Sequence, residues 1–586
     1  MPQWLHPGMV LIIGAFAAPF LRGAARQIYL MLLTIGALAV MMGLTEGVYG
    51  VVHILHEEVV FTRVDKLSLL FGYIFTVATL IATIYSLNEK SGWHHAASLV
   101  YAGSAIGVVF SGDFVTLFVF WEFMAFSSVF LILLRRQEDS YNAAYRYILV
   151  HVVGGLCLVA GFKLLFMETH SIEFTKIGID SVGGILVLIG FLVNAAALPF
   201  NAWLPDSYPR ATIGGAVFLS AFTTKSAVYT LIRGFAGTDV LIWVGVIMAV
   251  YGVIYAMMEN DIRRVMAYSI ISQVGYMVAG IGVGSAIAIN GVAAHAVSHI
   301  LYKGLLFMAT GSVLYVTGTS KITELGGLRE RMPLTFTAYM VGALSISAVP
   351  FFSGFVTKPL IFDAVAKKHL VYPYLLLLLA ATGTFLYTAL KIPYLVFFGE
   401  DKPVTSKAQD PPANMSIAMT IGALLCLLLG LLPGFLYGLL PYPMDYHPYT
   451  ADHIVSTLSL LGFATLGFVF LKNRLVRTPG INIDTDIFYI YGGRAFLWIA
   501  RRIFAAADDF VSGLYQRVFL NCGWRVAVRS WKFDAGVIDG IVNGVANFFV
   551  GLGEALRRFQ TGRLQDYALS ILIGLFVILN LFFLLF

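Results

Sequence analysis

The sequence predicts an all-α membrane protein of about sixteen transmembrane helices, with a late amphipathic segment and a final anchor helix. Three features carry that expectation. Apolar residues make up 59% of the chain and charged residues 12%, with a mean hydropathy of +0.84, whereas soluble proteins average about 25% charged residues. Apolar stretches long enough to cross a bilayer as a helix, about 20 residues, recur along the whole chain. The loops between them alternate in the sign of their charge.

Hydropathy places the spans at roughly 8–21, 27–48, 66–87, 96–111, 114–134, 142–166, 182–203, 210–235, 238–258, 265–284, 288–317, 336–366, 371–398, 415–439, 453–471 and 566–586. Arg22 and Arg26, Arg135 and Arg136, Arg263 and Arg264, Arg329 and Arg331, and Lys472, Arg474 and Arg477 fall on one side. Glu46, Glu57 and Glu58, and Glu168 and Glu173, fall on the other. The positive-inside rule then puts the N-terminus outside the cytoplasmic membrane, segment 472–565 on the cytoplasmic side and the C-terminus outside. The chain opens with a span rather than a basic n-region and cleavage site, so no removable signal peptide is expected. Segment 472–565 differs in kind. Arg501, Arg502, Asp508, Asp509, Arg517, Arg525 and Arg529 punctuate its apolar residues, as suits helices lying in the interface plane or against a partner. A small cytoplasmic cap is the alternative, but few residues here build an independent core.

Composition and motifs exclude several chemistries. The net charge of +6 is loop arginine and lysine, not a nucleic-acid patch. Cys157, Cys426 and Cys522 have neither metal-ligand spacing nor the density of a disulfide framework. There is no Walker loop and no GxGxxG after a strand. No cofactor and no metal are expected.

What stands out is charge inside the apolar runs. Glu122, Lys225, His299 and Lys303 each sit where a soluble protein would put leucine. A charge at mid-bilayer costs roughly 2.5–3.5 kcal/mol even on insertion scales, so it marks an ion path by default. His295, His299 and Lys303 stand at i, i+4 and i+8, on one helix face. Histidine titrates near neutrality and passes protons through two nitrogens. The same spacing suits zinc, but no carboxylate or thiolate lies nearby in sequence; two core histidines are the plainer alternative. Prolines point the same way. Pro199 and Pro205 interrupt and close the seventh span, and Pro350 and Pro359 flank Gly354 in the twelfth. Such breaks survive in a membrane only where protein or cavity water satisfies the freed backbone.

The stretches VDKLSLLF (64–71), FVFWEF (118–123), ALPFNAWLPDSYP (197–209), TTKSAVYTLIR (223–233), NDIRRVMAYSIISQVGYM (260–277), HAVSHILYKGLLFMATGSV (295–313), LGGLRERMP (325–333) and SAVPFFSGFVTKP (347–359) resemble the antiporter-like membrane subunits shared by Mrp-type Na⁺/H⁺ antiporters and respiratory complex I. HPYTADHI (447–454) and INIDTDIFY (481–489) are similar to the D-type subunit of the Mrp antiporters. VIDGIVNG (537–544) and RRFQTGRLQDYAL (557–569) are similar to the longest antiporter-like subunit of complex I, whose lateral helix ends in one anchor. The resemblance implies an inverted repeat of two five-helix bundles, each with a helix broken at mid-membrane. It divides the chain into N-terminal helices (1–111), a proton-conducting core (112–400, with half-channels at about 96–235 and 238–398), C-terminal helices (401–471), the lateral segment (472–565) and the anchor (566–586).

By the same resemblance Glu122 is the carboxylate of the first half-channel, whose proton affinity follows a neighbouring cation; a structural ion pair is the alternative. Lys225 resembles the lysine after the first break, a group that relays protons when desolvated, unless it snorkels to one face. Lys358 is the terminal lysine of the second half-channel, with Pro359 where the family often has an acidic residue. Asn194 stands where the family pattern usually carries lysine, in NAAALP (194–199). An amide cannot titrate, so Lys225 or Lys163 must serve, or the ion preference has changed, or the half-channel is degenerate. Asp65 and Asp113 match the family, and Asp261 with Arg263 opens the tenth span; all are equally readable as helix-end charges. Tyr268, Gln273 and Tyr276 are placed along the polar axis.

The function this implies is proton translocation within a multisubunit membrane complex, with H⁺, Na⁺, lipid and other integral subunits as partners. Mrp-type cation/proton exchange leads. A pump arm of a complex I-like or hydrogenase-like redox machine, an enzyme subunit without an active site of its own, is the alternative. An ion-coupled subunit energising a partner such as an inorganic-carbon uptake protein, and a non-conducting scaffold, are the others.

Overall fold

The computed structural model describes residues 5–54, 57–472, 486–533, 539–558 and 562–585. Arg474, Arg477 and parts of the three C-terminal motifs named above lie outside the described residues. The chain forms two compact units, Met1–Asp486 and Ile487–Phe586. Twelve helices among the described residues are long and apolar enough to cross a membrane.

The first unit opens with α1 (Pro7–Ala15) and α2 (Gly23–Met42), followed by an antiparallel hairpin of β1 (Gly47–Ile54) and β2 (Glu57–Val64). Gly47 pairs with Val64 and Ile54 with Glu57. Hydropathy predicts no strand here and runs the second span to 48. The glutamates mark a loop, but the valine- and threonine-rich flanks suit a half-buried pleated surface better than a connector. Then come α3 (Lys66–Tyr85), α4 (Gly92–Phe110), α5 (Phe114–Leu133), α6 (Glu138–Thr169), α7 (Val182–Asn194), α8 (Trp203–Ser207), α9 (Ile213–Ala221) and α10 (Thr223–Phe235). The chain continues through α11 (Val240–Met258), α12 (Ile262–Val283), α13 (Ala286–Thr317), α14 (Leu328–Arg331), α15 (Pro333–Ile346), α16 (Ser353–Lys367), α17 (Val371–Phe385), α18 (Ala413–Leu431), α19 (Pro433–Tyr437) and α20 (Ala451–Leu471).

Helices α4–α10 and α11–α17 are two copies of one design. Asp113 caps α5 and forms an isolated bridge with Glu173; Asp261 caps α12 and forms one with Lys321, the same number of residues later in each case. Helices α6 and α13 are both 32 residues long. Each copy then has a broken helix, α7 into α8 and α15 into α16. The two breaks are closed by the same backbone device. Ala196 (φ 56°) donates its N–H to Val193 and Ala197 donates to Leu192; Ala348 (φ 57°) donates to Ser345 and Val349 to Leu344. This is the Schellman closure, which satisfies last-turn carbonyls that the bilayer cannot. Alanine, not glycine, occupies the left-handed position in both. Within the second bundle, Gly245 and Gly275 let α11 and α12 approach backbone to backbone: a methyl at Gly245 would lie 2.3 Å from the Ala279 nitrogen. That is how membrane helices associate when no hydrophobic drive separates them from lipid.

The second unit contains α21 (Asp486–Leu514), α22 (Asn521–Phe533), α23 (Asp539–Arg558) and α24 (Leu564–Leu585). Helix α24 qualifies as a span. Helix α21 exposes Trp498, Phe504 and Phe510 beside Arg501, Arg502, Asp508 and Asp509, which is the amphipathic composition expected of this region.

Replacing Ala196 or Ala348 by valine forces a β-branched residue into the left-handed region, where even ordinary L-residues lose about 1–2 kcal/mol. Each valine variant is expected to lower the melting temperature of the detergent-solubilised protein, while Ala→Gly at either site is expected to leave it unchanged or raised.

Candidate functional site

The titratable groups of the core are positioned by helix ends and helix breaks. Helices α9 and α10 are interrupted at Phe222 (φ −105°, ψ −66°), which frees carbonyls of the turn before it. Lys225, fully buried, donates its ammonium to the Ser220 carbonyl and to Thr224 Oγ1 at 3.1 Å. Lys358 repeats the arrangement after the second break. Its Nζ reaches back 2.9 Å to the Ile346 carbonyl at the end of α15, and it lies 4.9 Å from the Tyr276 ring. Lys303 donates to the Met266 carbonyl at 3.3 Å. Three buried ammonium groups are thus held by main-chain dipoles. The carbonyls of Ser220 and Ile346 lie at helix C-termini, where the dipole favours a cation, whereas Met266 lies near the start of α12. A carbonyl, unlike a carboxylate, does not lock any of these lysines as a partner ion.

His295, His299 and Lys303 share one face of α13, as their spacing predicts, and all are fully buried. His295 Nδ1 lies 3.3 Å from Thr357 Oγ1, and its Nε2 lies 3.4 Å from the Tyr302 hydroxyl. Both nitrogens of His299 are without a hydrogen-bond partner. Lys225, Lys303, His295 and Lys358 all lie within electrostatic range of His299. Buried titratable groups of α10, α13 and α16 are thus gathered around His299. Gln273 and Tyr276 adjoin them, through Tyr302 and the Lys358 ammonium respectively. Tyr268 is elsewhere, stacked 5.5 Å from Tyr255. No group of three His, Cys, Asp or Glu residues that would hold a metal occurs among the described residues.

Glu122 stands in the first bundle. Its residue is 6% exposed, and its Oε1 is buried without a partner. The carboxyl fits against Gly155 of α6, where an added methyl would lie 2.2 Å from Oε1. Among the described residues no ion pair joins Glu122 to a lysine. Asn194, fully buried at the end of α7, has neither side-chain atom bonded. Lys163 is half-buried on α6, 5.8 Å from the Phe166 ring.

The outlying aspartates have other work. Asp113 accepts from Thr116 N–H at 2.8 Å and from Val60 N–H at 2.8 Å, tying the α5 N-terminus to the hairpin. Burial shifts its carboxyl above the usual range. Asp65 caps α3 in a reciprocal pair with Ser68 and bridges to Arg233 at 2.5 Å. Burial pushes its carboxyl up, but the Arg233 charge and hydrogen bond win and hold it low. Asp261 caps α12 through the Arg263 and Arg264 N–H groups at 2.8 and 3.1 Å.

The buried groups that sequence reasoning does not single out include a lysine and a histidine of the two bundles. Lys391, in a π-helical stretch after α17, donates 2.7 Å to the Met257 carbonyl at the end of α11. His151 of α6 is 2% exposed, with Nδ1 2.9 Å from the Tyr147 carbonyl and Nε2 unpartnered. Aligning the sequence on its own repeat would have exposed it: counted from the helix starts at Glu138 and Ala286, His151 and His299 occupy the same position.

Asp113→Ala removes both a helix cap and the strap to the hairpin. The expected loss is about 1–3 kcal/mol, measured as a lower melting temperature; Asp65→Ala, which also deletes an ion pair, is expected to lose at least as much.

Comparisons with known proteins agree with this architecture. Residues 111–386 match the family model described as NADH:quinone oxidoreductase/Mrp antiporter, TM. The chain is 31% identical over 421 residues to the A1 subunit of the Na(+)/H(+) antiporter of Staphylococcus haemolyticus, covering 64% of this chain and 52% of that protein. It is 27% identical over 573 residues to the A subunit of the Na(+)/H(+) antiporter of Alkalihalophilus pseudofirmus, covering 88% of this chain and 66% of that protein. The chain therefore spans about half to two-thirds of the length of these relatives. By name both relatives are A-type, whereas the motifs of this chain resemble the D-type; the family is common to both. A chain of the Mrp complex from Dietzia sp. DQ12-45-1b superposes with a TM-score of 0.71 at 25% identity, covering 98% of this chain and 62% of that one. A chain of respiratory complex I from Thermus thermophilus shares the fold, with a TM-score of 0.64 at 22% identity over 73% of this chain and 97% of that one. Residues 111–386 thus match the membrane domain described for NADH:quinone oxidoreductases and Mrp antiporters, within a chain whose broken-helix repeat is similar to that of the Mrp complex chain.

Proposed function

We propose that this chain is a proton-translocating subunit of a multisubunit membrane complex, of the Mrp Na⁺/H⁺ exchange type. The single observation that carries it is the buried row Lys225, His299, Lys303, His295, Lys358 across the two bundles. Burial without counter-ions is costly, so an uncompensated row is retained for what it moves. Each lysine rests on a backbone carbonyl, which accepts its proton-bound form and releases it without leaving a buried carboxylate behind. Histidines between the lysines supply two-nitrogen relays. Glu122 is the proton acceptor of the first half-channel, and Lys358 delivers at the far end of the second. In this reading residues 112–400 are the conducting core. The complex sits in the cytoplasmic membrane with the N-terminus outside and segment 472–565 on the cytoplasmic side.

A second reading is favoured by the likeness to a chain of the membrane-bound sulfane sulfur reductase, an archaeal respiratory complex, with a TM-score of 0.65 and 98% of that chain covered. Here the same row is the pump arm of a redox machine. Purifying the intact complex in mild detergent and identifying its subunits separates the two. Small antiporter subunits alone support exchange; iron–sulfur or quinone-binding partners support the pump.

In inside-out vesicles carrying the whole complex, Lys303→Ala and Glu122→Gln are each expected to cut dissipation of a pH gradient at least tenfold with assembly intact. Undiminished flux in both would reject the transport reading. Gly155→Ala is expected to fold normally, because the flexible Glu122 carboxyl gives way, yet to reduce flux severalfold by displacing it.

A further inference from the structure

Lysines and histidines of α10, α13 and α16 gather around His299, whereas no ion pair joins Glu122 to a lysine among the described residues. Three buried polar groups are carried by the helices that pack at the glycine pair of α6. Glu122 of α5 lies against Gly155 and Val193 of α7 against Gly154, and Asn194 follows Val193 at the end of α7. His151 precedes Gly155 by four residues and so lies on its face of the helix. The Asn194 carboxamide, the Glu122 Oε1 and the His151 Nε2 are all buried without a partner. Buried polar atoms are nearly always bonded, so three orphans in one neighbourhood need an explanation. Of the three, the carboxamide cannot titrate and the imidazole can.

The His151 ring is fixed for the task. It stacks on Tyr147 with centroids 3.9 Å apart and meets Trp203, at the start of α8, edge-on at 4.7 Å. Trp203 is itself anchored to the Val193 carbonyl at 3.0 Å. The Nδ1 donates to the Tyr147 carbonyl, which leaves Nε2 as the free, basic nitrogen. Beyond the ring a chain of hydroxyls leads onward. Tyr147 bonds to Ser128 at 2.9 Å and faces Thr223; Thr223 bonds to Tyr101 at 2.7 Å and adjoins Thr224, which holds the Lys225 ammonium. The internal repeat gives a second, independent argument. His151 and His299 occupy equivalent positions in α6 and α13, and Tyr147 is equivalent to His295.

We propose that His151 is the proton relay of the first half-channel, taking a proton from Glu122 at Nε2 and passing it towards Thr223, Thr224 and Lys225. It is the counterpart of His299, and it makes Asn194 a bystander rather than a defect. Nε2 both takes up and releases that proton while the Nδ1–H stays on the Tyr147 carbonyl, so the ring ends each cycle as the same neutral tautomer and Glu122 is left as a carboxylate until it is reprotonated.

The inference rests on the transport reading, and the test separates the two. In inside-out vesicles bearing the complete complex, pH-gradient dissipation is measured for wild type, His151→Gln, His151→Phe and His151→Gln with Asn194→Lys. Phenylalanine keeps the packing between Tyr147 and Trp203; glutamine keeps polarity without titration. Both single variants are expected to lose at least tenfold in flux while subunits still co-purify. A lysine at the other orphan position is expected to restore at least threefold of the His151→Gln loss. Flux within twofold of wild type in either single variant overturns the proposal. So does a loss that Asn194→Lys leaves wholly unrepaired, since that makes His151 a packing residue. A wild-type complex that dissipates no gradient instead sinks the transport reading itself.

Discussion

Every backbone polar group in the bilayer must be satisfied from within, and this molecule breaks its helices without violating that rule. At the ends of α7 and α15 the loosened carbonyls are recovered by Schellman closures at Ala196 and Ala348. Carbonyls at the ends of α9 and α15 are taken up by the ammonium groups of Lys225 and Lys358. The breaks and the buried lysines are therefore one device. At the breaks a carbonyl released from the helix ladder is taken up by a lysine, and a break without a cation would leave oxygens unsolvated in hydrocarbon; Lys303 instead shares the Met266 carbonyl of the unbroken α12.

That device also explains why the charges are tolerable. A buried ion pair fixes both partners, and removing one strands the other. An ammonium solvated by carbonyl dipoles leaves no counter-charge behind when its proton departs. Lys225, His295, Lys303 and Lys358 lie within electrostatic range of His299, so charge at one point of the row bears on the next. By contrast, Asp65, Asp113 and Asp261 sit at helix N-termini, where N–H donors stabilise them permanently. The protein thus keeps three structural carboxylates at helix N-termini and one, Glu122, buried inside the first bundle.

The duplicated architecture extends this logic. Isolated bridges at Asp113 and Asp261, helices of equal length at α6 and α13, and matching break geometry show that both bundles solve one packing problem. Their side chains then diverge. The second copy has His295, His299 and Lys303 on one face, while the first has Tyr147, His151 and Gly155 in the same places, the glycine making room for the Glu122 carboxyl.

Hydropathy, proline chemistry and helical period are local properties of the chain. They suffice for the membrane class, the recurrence of spans, the two proline-marked breaks and the shared face of His295, His299 and Lys303. Motif resemblance points to the antiporter-like membrane subunits. The remaining features depend on what approaches from elsewhere in the chain, and so emerge only on folding. The β1–β2 hairpin is a pairing between two valine-rich segments whose glutamates read as loop. The structural duties of Asp65 and Asp113 come from Arg233, Thr116 and Val60, not from their own neighbourhoods in sequence alone. The absence, among the described residues, of an ion pair between Glu122 and a lysine, the orphaned atoms of Asn194, and His151 and Lys391 as buried polar groups are properties of packing. Sequence spacing fixes which residues share a helix face; only the fold fixes which faces meet.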